Sequence, residues 1–210
     1  MSPQPAYPRA AASHEVTAAG VLERHARSTG WTRSLPVPIE SIARDTYGIR
    51  VTWDDVAETS NECVLAVVHP KAAIIALNQR HRDILAEVVG PLRFVVAHEL
   101  GHLLYDADRG SALFDHPAFC RRLAADDPRV VREANADRLA AALLLPADLV
   151  RAELGRSRPS RPRTLEEMGA MAGKWGVSCR TLVARLDDLG LGWCFPGLKR
   201  PPHLDVTGSR

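Results

Sequence analysis

The sequence predicts an α+β fold, a main domain with a small antiparallel sheet and several helices, followed by a small helical module. Three observations carry this expectation. Two apolar runs, residues 63–68 and 72–77, are separated only by His69, Pro70 and Lys71, the pattern of an antiparallel hairpin. The flanking segments follow helical rather than alternating spacing, with the most strongly helical run at LRFVVAHELGHLLYDA. A Pro- and Arg-rich stretch at residues 151–163 then interrupts the periodic segments and reads as a linker between two units.

Residues 1–14 carry Pro3, Pro5 and Pro8 with little periodicity and are expected to be a loose arm. In residues 16–27 the apolar positions Val16, Ala19, Val21, Leu22 and Ala26 follow helical spacing, and Gly30 suits the end of that helix. A second helix is expected at 39–46, closed by Gly48, and a β-branched, aromatic strand at 49–53. After Asn78 the chain reads as helical through Ile84, Leu85, Val88 and Val89. It pauses at Gly90 and restarts with Pro91 in the first turn of a new helix. Another helix spans 128–145 and stops at Pro146. These elements make a main domain over 15–150. Residues 164–192 hold two short amphipathic helices about Gly176, resembling a helix-turn-helix, and 193–210 form a tail.

With 210 residues the chain has room for one domain with a real core and a small appendage. Hydrophobic residues at 46% and charged residues at 25% are ordinary for a globular protein and argue against wholesale disorder. Lys and Arg total 27 against 25 for Asp and Glu, so overall charge makes no case for nucleic acid. Cys63, Cys120, Cys179 and Cys194 never approach C-x-x-C spacing and are expected to be reduced thiols. No apolar stretch reaches the length of a secretory signal or a membrane span, so the expected location is the cytoplasm.

Chemistry concentrates at His98, Glu99, Leu100, Gly101 and His102, an H-E-x-x-H in a helical run. Four-residue spacing puts both imidazoles on one helix face, where they can converge on a zinc ion, and Glu99 between them can serve as general base toward the attacking water. Val95, Val96, Ala97, Leu100, Leu103 and Leu104 surround the motif. Polar groups in such a setting carry a desolvation cost unless a metal or partners satisfy them. A catalytic zinc takes three protein ligands, so a third is needed. Glu133 is favoured because Asp137, four residues on, shares its face and can accept the N–H of a ligand imidazole. His81 and His116 compete for the third position, but neither is on a helix with a partner carboxylate at that spacing.

These residues resemble those of the ImmA/IrrE-type metallopeptidases, which act on phage-type or stress-response repressors. Arg93, Phe94 and Ala97 to His102 are similar to the family's R-F-x-x-A-H-E-x-G-H, and EANADRLAAALLLP, starting at Glu133, to its E-x-x-A-N-x-F-A-x-x-L-L-M-P. Asn78, at a strand end before the motif helix, also fits. The likeness covers roughly residues 15–150. It implies a zincin-like (gluzincin) fold, ligands at His98, His102 and Glu133, and a helix-turn-helix repressor as substrate and partner. Asp137 stands where the family commonly has Asn, and Leu139 where it has Phe. Tyr105 and Asp106 replace frequent histidines.

The expected reaction is peptide hydrolysis with one Zn2+ per chain and Glu99 as the proton carrier. Tyr105, His116 and His81 are candidates for stabilising the developing oxyanion. In the C-terminal module Arg180 and Arg185 offer phosphate contacts, but Asp187 and Asp188 oppose them, which favours a helical pair that packs on the main domain or receives a protein substrate over direct DNA binding. Trp175 and Trp193 are expected in a core or interface, and His25 and His69 in solvent. The rival readings are a DNA-binding regulator with a non-catalytic metal site, against which Glu99 argues, and a partner that binds a repressor without cutting it.

Overall fold

A computed structural model describes residues 7–58, 63–86, 89–108, 116–120, 128–155 and 164–194, with side chains described except at 7–13, 89, 105–108, 116–120, 128 and 129. The linker core, 156–163, and the end of the tail, 195–210, lie outside the described residues.

Helix α1 spans Tyr7–Thr29 and so takes in half of the expected arm. Pro8 lies in the first turn, where its missing N–H is tolerated, and the alanines that follow favour helix. Gly30, at φ 76°, ends the helix by donating its N–H to the Ala26 carbonyl at 2.9 Å. Helix α2, Ile39–Ser41, continues as a π turn through Ile42–Thr46. The strands follow as β1 (Arg50–Asp54), β2 (Cys63–His69) and β3 (Ile74–Asn78), with a 3-10 turn, Pro70–Ala72, between the last two. A second 3-10 turn, Gln79–His81, leads to α3 (Arg82–Ala86). Then come α4 (Val89–Asp108), β4 (His116–Cys120), α5 (Pro128–Leu144) and α6 (Ala147–Leu154). Helices α7 (Leu165–Trp175) and α8 (Cys179–Asp188) close the order, with a 3-10 turn at Gly192–Cys194.

The sheet corrects one expectation. The hairpin of β2 and β3 is antiparallel as expected, and β4 adds to β2 in the same sense. However, β1 joins β3 in parallel, Arg50 opposite Ile74 and Asp54 opposite Asn78. The order β1-β3-β2-β4 is therefore a mixed sheet. Periodicity reports which faces of a strand are buried and is silent on the direction of its neighbour. The central position of β2 explains its run of buried residues from Val64 to Val68, with no polar face.

One hydrophobic cluster runs through the molecule. Leu22, Ile42, Ile75, Val96, Leu100, Leu139 and Leu143 belong to it, and so do Trp175, Leu182 and Leu186 of the C-terminal helices. Helices α7 and α8 thus share the core of α4 and α5. Thr164 and Glu167 form a capping box at the start of α7, and the Ser178 hydroxyl accepts from the Thr181 N–H to cap α8. The turn between them sits on the first turn of α4, where a Cβ on Gly90 would lie 2.6 Å from the carbonyl carbon of Val177. Buried Arg93 reaches under Gly176 and donates to the Val37 carbonyl. His25 is also buried, contrary to expectation, its Nδ1 hydrogen bonded to the Thr46 hydroxyl at 2.7 Å. Among the described residues no helix is long and apolar enough to cross a membrane.

Candidate metal centre

The centre lies where α4 crosses α5. A Cβ on Gly101 would come within 3.4 Å of the Ala136 carbonyl oxygen and 3.5 Å of its Cα, so the two backbones approach closely at this pair. Small residues at the crossing bring the flanking turns together. Those turns carry His98 and His102 on α4, and Glu133 and Asp137 on α5.

The donor atoms converge. His98 Nε2 lies 3.0 Å from His102 Nε2 and 3.1 Å from Glu133 Oε2, and His102 Nε2 lies 3.4 Å from Glu133 Oε1. Ligands at about 2.0–2.1 Å on a tetrahedral ion stand about 3.3 Å apart, so these spacings suit one zinc-sized cation. His98 Nδ1 pairs with Asp137 Oδ1 at 2.8 Å. With Nδ1–H donated to that carboxylate, a neutral His98 turns the lone pair of Nε2 toward Glu133 and His102. Two imidazole nitrogens and a carboxylate facing one another call for positive charge between them, which either a proton on His98 or a bound cation supplies. His98, His102 and Glu133 therefore fit a metal by geometry and by donor chemistry.

Burial sharpens the electrostatics. Desolvation opposes charge on His98, yet hydrogen bonds to Asp137 and Glu133 outweigh it and raise the His98 pKa well above the ordinary value. Burial lowers that of His102. Desolvation also opposes charge on Glu133, but the two imidazoles hold its carboxyl well below the usual range. Glu99 is completely buried, and neither carboxylate oxygen has a hydrogen-bond partner among the described residues. Burial pushes its pKa up to about 8. Among the described residues, then, Glu99 is a buried carboxylate without a hydrogen-bond partner, one residue along the chain from His98.

Of the other candidates, His81 belongs to a different group. His81 pairs with Glu58 Oε2 at 2.8 Å and lies 3.6 Å from Cys63 Sγ, away from the His98, His102 and Glu133 donors. Tyr105 belongs to α4 and His116 opens β4, but their side chains fall outside the described residues. Asn78 is fully buried, donating to the Val64 carbonyl at 2.8 Å while its side-chain oxygen accepts the Arg80 N–H at 3.1 Å. The sequence reading missed the Glu58, Cys63 and His81 cluster. Nothing in its spacing marks it.

Comparison with known proteins gives a family and a fold. A family model described as the IrrE N-terminal-like domain, peptidase M78, matches residues 44–187, a span that includes α7 and nearly all of α8. No curated protein matches the chain. Among solved structures, a Mycobacterium tuberculosis transcriptional regulator is similar in fold, with a TM-score of 0.52 and 20% identity over 83% of this chain. The match covers 46% of the regulator, so this chain corresponds to under half of that protein.

Proposed function

The chain belongs to the IrrE N-terminal-like domain family, peptidase M78, and on that premise we propose that it is a zinc metalloendopeptidase that cleaves a helix-turn-helix transcriptional repressor in the cytoplasm and so relieves repression. One observation carries the catalytic part. The convergence of His98, His102 and Glu133 occurs beside a buried Glu99 that has no hydrogen-bond partner among the described residues. A structural metal site has no use for such a carboxylate.

When bound, zinc supplies Lewis acidity toward the scissile carbonyl and acidifies water at neutral pH. His98, His102 and Glu133 would hold it, and Asp137 fixes the ring of His98 through Nδ1. Glu99 accepts the proton of the attacking water and delivers it to the departing amine nitrogen. The engagement of His81 by Glu58 leaves Tyr105 and His116 as the candidates for the oxyanion.

The repressor as substrate is suggested by family membership. Direct DNA reading through α8, a recognition-like helix by sequence, fits less well. Arg185 is buried, donating to Glu15 at 2.5 and 2.9 Å and to the Leu145 carbonyl at 2.9 Å, and is not presented to phosphates. The test is incubation of the zinc-loaded protein with helix-turn-helix repressors from the same genome, read by intact-mass spectrometry. Two complementary fragments that are absent with Glu99→Gln are expected. An uncut repressor that is nevertheless held in a stable complex would favour the binding partner over the protease.

A further inference from the structure

We propose that Glu58, Cys63 and His81 form a second cation site, of the zinc class, at one end of the sheet. The topology builds it. Strands β1 and β3 are parallel and β2 is antiparallel to β3, so the end of β1, the start of β2 and the end of β3 meet at the same edge. Glu58 follows β1, Cys63 opens β2, and His81 closes the 3-10 turn after β3. The donor atoms lie within 4.8 Å of one another, and all three residues are partly buried.

The spacing fits a metal. Zinc bonds of about 2.3 Å to sulfur and 2.0 Å to nitrogen put such donors about 3.5 Å apart at the tetrahedral angle. Cys63 Sγ lies 3.6 Å from His81 Nε2. Glu58 Oε2 lies 2.8 Å from the same nitrogen and needs to open by about half an ångström to take its place on the ion. The carboxylate is already aimed. Its Oε2 accepts the Val64 N–H at 3.0 Å and the Asn78 amide at 3.4 Å, and Asn78 is itself buried and tied to the Val64 carbonyl. A carboxylate fixed by backbone and amide donors, beside an imidazole and a sulfur, is how ligands are oriented at metal sites. A Glu–His ion pair alone gives no reason for a sulfur at ligand distance. Sulfur, nitrogen and oxygen together select a borderline cation over magnesium or calcium. The ion would tie three strand ends together, a role separate from hydrolysis.

Cobalt(II) is the probe, because a thiolate-to-cobalt charge-transfer band in the near ultraviolet reports sulfur ligation and the His98, His102 and Glu133 centre has no sulfur. The full-length protein, stripped and reloaded, is expected to take up two cobalt ions per chain and to show the band. Cys63→Ser should lose the band and one ion. If that variant does not fold, His81→Gln should likewise lose one ion and the band. His98→Ala should lose one ion and keep the band, so failure of the peptidase centre reads differently from failure of this site. Wild type with one ion and no band overturns the proposal, and so does two ions in Cys63→Ser. A disulfide between Cys63 and Cys120, its register partner, also overturns it.

Discussion

At the scale of single residues, the metal role proposed for His98 has a pH signature. Its hydrogen bonds to Asp137 and Glu133 raise its pKa well above the usual histidine value, so an incoming cation must displace a proton from Nε2. The sign follows. Acid favours the protonated ring and competes with the metal, so zinc affinity should rise with pH through the neutral range by up to about tenfold per unit. Titration calorimetry in buffers of different ionisation enthalpy should detect release of a proton, and pH-independent affinity would contradict the picture. Asp137 contributes through the opposite nitrogen. Asp137→Ala should weaken zinc binding by roughly 10–100-fold while activity at saturating zinc is largely recovered, as measured by competition with a chromogenic chelator.

At the scale of elements, the site depends on how closely α4 and α5 cross at Gly101 and Ala136. A Cβ on Gly101 would make ordinary contact with the Ala136 backbone, so Gly101→Ala should be tolerated. Gly101→Leu has no room, and it should push the helices apart, cost about 1–3 kcal/mol of stability and impair metal binding. Melting temperature and zinc content of the two variants check this. The crossing also explains which parts were legible in the sequence. H-E-x-x-H and E-x-x-x-D each declare a helix face because four residues make one turn, and the structure brings those faces together. The parallel β1–β3 pairing was not legible, because strand periodicity encodes burial rather than neighbour direction. The Glu58, Cys63 and His81 cluster was hidden for a related reason, since its members meet only through strand order.

At the scale of the whole molecule, the C-terminal helices are part of the fold. Sequence alone suggested a tethered pair beyond a basic linker, a natural reading of Pro- and Arg-rich composition. What it does not reveal is that Trp175, Leu182 and Leu186 fill the same core as Leu100 and Leu143, or that Arg185 reaches Glu15 on α1. Deleting residues 164–210 should therefore abolish cooperative unfolding and zinc retention together, as read by thermal melts. A truncated chain that melts sharply and keeps its metal would restore the two-unit description. Arg185→Ala should destabilise by roughly 2 kcal/mol, since Glu15 remains partly exposed, while affinity for duplex DNA stays weak and shallow in salt. The most direct measurement pairs metal content with turnover in Glu99→Gln and Glu133→Ala. The roles assigned here predict that Glu99→Gln keeps the zinc content of wild type and cleaves no repressor, whereas Glu133→Ala loses an ion. Cleavage by Glu99→Gln at the wild-type rate, or unchanged zinc in Glu133→Ala, would contradict them.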